Sequence, residues 1–262
     1  MHTRLGVFAT LLTFAFAVAA ADKPVFLYSR YFNAPGEARY LPDGNYKDLL
    51  QRLETHFTVR VSSNALNAEL LRDVNVVLIA NPSDKAVGAN PPPHHVDARD
   101  IAELTKFVEH GGALIVMGNQ ENHNLDVEHV NGLLKEFGMT MTNLYTDAKL
   151  LPIPANAPVI GGLRWGYYTG NLVLLDSSHP AKPRALVTND LSVKPPKGTR
   201  DQAGVLMAAA QPGGGHVIVV TDSGWLADWA FKEEGVGGVA LKGQDNYEIF
   251  LRLVNWASAP AN

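Results

Sequence analysis

The sequence predicts an α/β fold: a mostly parallel sheet with helices on both faces (flavodoxin-like), followed by an irregular, β-rich second half. Three observations carry this. Continuous apolar runs of strand length recur at residues 25–29, 73–80 and 113–117, as strands buried on both faces require. Segments with apolar residues at helical spacing alternate with them, notably at 101–108 and 127–137, which is the order of parallel strand–helix units. Gly111-Gly112 and Gly138 stand where those two helices should end.

Element by element, Val25-Phe26-Leu27-Tyr28-Ser29 is a short β-rich run, and a loop marked by Asn33, Pro35, Gly36, Pro42 and Gly44 follows it. Leu49, Leu50, Leu53 and Phe57 fall at helical spacing, and residues 57–61 alternate as a strand. Asn81-Pro82 stops the next buried strand, and the loop to Asp97 holds three consecutive prolines. Asp97 is placed to cap a helix whose apolar face is Ile101, Leu104, Phe107 and Val108. After the strand at 113–117, Val127, Val130, Leu133, Leu134 and Phe137 mark another helix. Short strands are expected at 172–175 and 185–188. Strands at 205–209 and 216–220 flank Pro212-Gly213-Gly214-Gly215, a hairpin turn. Tyr247, Phe250, Leu251 and Val254 share the face of a last helix that ends near Trp256. No repeat or long linker interrupts the pattern, so residues 22–262 read as one domain.

Composition excludes several classes of function. With 22 Lys+Arg against 26 Asp+Glu and no block of like charge, there is no electrostatic footprint for nucleic acid. The absence of cysteine removes thiolate nucleophiles, thiolate zinc sites, iron–sulfur clusters and disulfides. Residues 1–21 read as a secretory signal peptide: Arg4 is the positive start, residues 5–18 are mostly apolar, and Ala17-Val18-Ala19 fits the cleavage pattern. The mature chain is then expected to be periplasmic or secreted, with no membrane span left after cleavage.

One ordered set of motifs points to a family. The strand ending in Asn81-Pro82, the helix at 100–110 running into Gly111-Gly112, and the strand at 113–117 closed by Gly118 together resemble the core of the class I glutamine amidotransferase-like superfamily. The resemblance is nearest to its non-catalytic branch of gliding-motility, intraflagellar-transport and trehalose-utilisation-like proteins. Asn131-Gly132-Leu133-Leu134 through Phe137-Gly138-Met139, then Ser178-His179-Pro180, and Gly214-Gly215-His216 with Asp245-Asn246 before Trp256 agree with it. The catalytic members carry a cysteine after the strand that here is residues 113–117. This chain has Met117-Gly118-Asn119-Gln120-Glu121 there, so the resemblance implies the scaffold without thiolate acyl transfer. No G-x-S-x-G elbow replaces it.

In an open parallel sheet, ligands sit beyond the carboxyl ends of the strands. The candidate ligand-binding residues are therefore Tyr28, Arg30, Tyr31, Asn81, Asn119, Asp222 and Trp225, with His123 and Glu121 as a candidate catalytic acid–base pair. Asn119 and Asp222 are expected on exposed loops that tolerate substitution. Rings, amides and carboxylates suit a hydroxylated ligand. The leading expectation is an exported domain that binds carbohydrate or assists its processing, with a saccharide as its ligand. The alternatives are a saccharide hydrolase or lyase working through His123, Glu121 or Tyr31, and a protein-interaction module of unknown partner, which the resemblance implies. His94-His95 with Asp97, and His123 with Asp126 and His129, are the two histidine–carboxylate groupings. Neither has a recognised ligand spacing, so no metal and no cofactor is assigned. Trp225 and Trp229, four apart, are open between core and a stacking face.

Overall fold

The alternation of apolar strands and amphipathic helices builds one sheet with a core on each side. The computed structural model describes residues 23–189, 203–231 and 241–259; the expected signal peptide at 1–21 lies outside them. Five parallel strands form the centre of the sheet, in the spatial order β2 (Thr58–Ser62), β1 (Val25–Ser29), β3 (Val76–Ala80), β4 (Ala113–Met117) and β11 (His216–Val220). Beyond β11 the sheet turns antiparallel through β10 (Val205–Ala210), β8 (Val173–Leu175) and β5 (Met139–Met141), with β9 (Arg184–Thr188) also paired to β10. The predicted fold class is the observed one.

Every residue of β3, β4 and β11 is buried, because successive side chains point to opposite faces and both faces are covered. Phe26, Tyr28, Val76, Leu78, Ile115 and Ile218 face a core closed by α1 (Lys47–Leu53) and α6 (Asn246–Ser258). Leu27, Val77, Ile79, Leu114, Val116 and Val217 face a second core under α2 (Ala68–Leu71), α3 (Ala98–Glu109) and α4 (Val127–Lys135). Asp97 caps α3 in a full capping box with Asp100, and Gly111, at φ +101°, ends the turn beyond it.

Two differences from the sequence pattern matter for the site. The first helix ends at Leu53, so Phe57 belongs to the turn leading into β2. The Pro- and Gly-rich stretch after residue 145 forms a separate antiparallel ribbon, β6 (Thr146–Pro152) and β7 (Arg164–Gly170). Its Trp165 and Tyr167 are fully buried in the first core. Glycines inside β7 break the strand signal, yet Gly170 sits where a Cβ would meet the Thr221 carbonyl oxygen at 1.5 Å. Close backbone approach demands glycine there. Among the described residues, no helix is long and apolar enough to cross a membrane.

Candidate functional site

The carboxyl ends of β3, β4 and β11 are joined by side-chain amides. Asn81 follows β3 with φ +46°, a left-handed conformation that asparagine tolerates better than most residues. Its Oδ1 accepts from the Asn119 backbone N at 2.9 Å, and its Nδ2 donates to the His123 carbonyl at 3.1 Å. Asn119, just past β4, donates from Nδ2 to the Tyr40 hydroxyl at 3.1 Å and accepts at Oδ1 from the Ser223 backbone N. Its carbonyl accepts from Asn171 Nδ2. These bonds hold five segments in one place, carrying Tyr40, Asn81, Asn119, Asn171 and Ser223.

Asp222 lies beneath them, fully buried. Its Oδ2 accepts from the Tyr168 backbone N at 2.7 Å and its Oδ1 from the Gly224 backbone N at 2.6 Å. Those donors favour the charged form, but burial outweighs them and pushes the carboxyl up to about 7. A short turn of helix, Gly224–Leu226, leads into α5 (Asp228–Phe231).

A cleft of about 190 Å³ opens over Asp222, lined by Arg39, Tyr40, Asn119, His123, Tyr168, Thr169, Gly224 and Trp229. Arg39 makes a two-pronged bond to Glu37, at 2.7 and 2.6 Å, and also donates to the His123 carbonyl at 3.3 Å. Trp229 stands edge-on to Tyr168, with ring centroids 4.7 Å apart. Gln120 orients His123: its Nε2 donates to the Gly170 carbonyl at 2.6 Å, which leaves Oε1 to accept from His123 Nδ1 at 2.9 Å. With Nδ1 donating to Gln120, Nε2 is the acceptor whenever the imidazole is neutral.

Of the residues singled out in the sequence, Asn119, His123 and Asp222 meet at this cleft, and Asn81 ties it from below. Asn119 and Asp222 are buried, which corrects their placement on exposed loops. Glu121 is exposed, and its backbone N donates to Asn143 Oδ1 at 3.2 Å. Tyr28 is buried, donating to the Tyr40 carbonyl with its ring against Tyr46. Trp225 is also buried, edge-on to Trp165 at 5.6 Å with Nε1 toward Met117 Sδ. Trp229, four residues on, is the tryptophan that reaches the cleft. Arg30 pairs with Asp43 at 3.5 Å, and Tyr31 stacks on His94 at 4.2 Å. Arg39, Tyr40 and Tyr168 were not singled out. The first two sit in a single 3-10 turn, Ala38–Tyr40, within a Gly- and Pro-marked loop, and Tyr168 sits on a strand whose glycines hid it.

Chemically, the end of β4 carries neither thiol nor hydroxyl. A Cβ at Gly118 would meet Leu125 and Met141 at 2.9 and 3.0 Å, and the Asn119 amide is spent on structural bonds. Away from the cleft, His95, Asp126 and His129 bring ligand atoms within 4.8 Å of one another. They combine members of the two groupings seen in the sequence.

Residues 31–150 match the model of the IFT52 GIFT domain family. The intraflagellar transport protein 52 homolog of Mus musculus is 24% identical over 112 residues, 43% of this chain and 24% of that protein, so the match spans about a quarter of the relative. The mmIFT52 N-terminal domain has a similar fold, with TM-score 0.65 and 15% identity, over 90% of this chain and 97% of that one. A ThuA-like protein from Bacteroides uniformis ATCC 8492 gives TM-score 0.55 at 10% identity, over 93% and 95%. The chain thus resembles an intraflagellar-transport-type domain. That likeness overturns the leading expectation of an exported, periplasmic or secreted carbohydrate domain, and with it the saccharide ligand. The signal-peptide reading of residues 1–21 conflicts with it as well.

Proposed function

We propose that this chain is a protein-interaction module: a member of the class I glutamine amidotransferase-like superfamily whose strand-end cleft receives part of a partner protein and turns over no substrate. The observation that carries this is the GIFT-domain match over residues 31–150, a span that includes Arg39, Tyr40, Asn119 and His123 of the cleft. The relative's name, an intraflagellar transport protein, makes another protein the expected partner. The cleft chemistry supports it. Trp229 and Arg39 belong to the side-chain types that dominate binding energy at protein interfaces, and the place of the nucleophile is filled by Gly118 and Asn119.

Affinity capture with the full chain, followed by binding measurements on each purified captured protein, tests this reading. A true partner binds Trp229→Ala and Arg39→Ala chains at least about tenfold more weakly, a loss of about 1.4 kcal/mol, with circular dichroism unchanged. Equal affinity for the variants, or ammonia release from glutamine by the pure chain, overturns it.

A further inference from the structure

We infer that His95, Asp126 and His129 form a binding site for a transition-metal cation of the Zn2+ class. His95 Nδ1 lies 2.5 Å from Asp126 Oδ2, and His129 Nδ1 lies 2.9 Å from Asp126 Oδ1. The two imidazole centroids are 4.6 Å apart. Three ligand atoms so close together can be shared by one ion with bonds of about 2.0–2.2 Å after small side-chain rotations. Asp126 is only 2% exposed, and among the described residues these two imidazoles are its only ion-pairing partners. Asp126 Oδ1 also accepts from the His129 backbone N at 3.2 Å as the cap of α4, yet hydrogen bonds alone do not neutralise a buried carboxylate's charge. A divalent cation compensates it.

The surroundings favour this class of ion. Two nitrogens and one carboxylate suit borderline metals, whereas Mg2+ and Ca2+ prefer oxygen alone. Both histidine side chains are about half-exposed, at 37% and 43%, leaving a fourth position open to water. The ligands are also held in advance. Asp126 is the N-cap of α4, and its backbone N donates to the Pro82 carbonyl at 2.9 Å. The Asp84 and Lys85 backbone N atoms bond to Asn124 at 3.0 and 2.9 Å. His95 is followed by buried Val96 and by the capping box at Asp97.

The test uses the full chain, free of affinity tags and stripped of metal by a chelator. Zn2+ is titrated in competition with a chromophoric chelator, and Co2+ binding is followed by its visible d–d absorption. One site per chain is expected, together with movement of the His95 and His129 imidazole protons from Nδ1 to Nε2 in 15N NMR spectra. His95→Ala and His129→Ala should each weaken Zn2+ binding at least about tenfold, while His94→Ala next door leaves it unchanged. Circular dichroism confirms that each variant is folded. Wild-type chain that takes up no Zn2+, or His95→Ala and His129→Ala chains that bind it as tightly as wild type, overturns the proposal and leaves a hydrogen-bonded cap in its place.

Discussion

The Asn81 side chain accepts a hydrogen bond from the Asn119 backbone N at 2.9 Å, so the first residue after β3 sets the path of the chain leaving β4. Asn119 passes the constraint on to Tyr40 and Ser223. The floor of the cleft is therefore a network of amides. Removing one member leaves buried donors without partners, which costs more than the lost bond itself.

Asn119→Ala is accordingly expected to destabilise the fold by about 2–4 kcal/mol, because the Ser223 N–H and the Tyr40 hydroxyl lose their partners together. Urea denaturation measures this. A loss within about 0.5 kcal/mol, the usual cost at an exposed loop, would show that the network carries no weight.

Asp222 should make stability depend on pH with a definite sign. Its carboxyl stands at about 7 in the folded chain and near 3.9 when unfolded. Between those values the folded state keeps a proton that the unfolded chain has released. Stability from this group is therefore greatest in acid, falls as pH rises from about 4 to about 7, and is flat above. Asp222→Asn cannot titrate, so urea midpoints of wild type relative to the variant should fall across that window. Parallel curves for the two chains would refute the buried acid.

Two glycines should respond in opposite directions to the same substitution. Gly170→Ala drives a methyl into the Thr221 carbonyl oxygen at 1.5 Å and should cost about 3 kcal/mol or prevent folding, since rigid backbone must part. Gly132→Ala, inside α4, meets only Ile101 Cδ1 at 3.4 Å and should stabilise by up to about 1 kcal/mol through helix propensity. Thermal melts of both variants decide it.

The sequence by itself determined the central parallel strands, the helices that flank them and the hairpin of β10 and β11. Apolar periodicity, the Asp97 cap and the glycine stops are local signals that need no distant partner to be read. It also brought out Asn81, Asn119, His123 and Asp222, because strand ends converge wherever a parallel sheet forms. Only the tertiary structure decided which strand-end side chains reach the cleft. Tyr28 and Trp225 turn into the core, while Trp229, only four residues further on, lines the opening. The β6–β7 ribbon, which brings Tyr168 over Asp222, was hidden because its glycines answer to distant partners: Gly170 to the Thr221 carbonyl and Gly166 to the Gln244 side chain. Burial of the Asp222 carboxyl and the meeting of His95 with Asp126 and His129 are likewise set by packing between distant segments, and no local pattern encodes them.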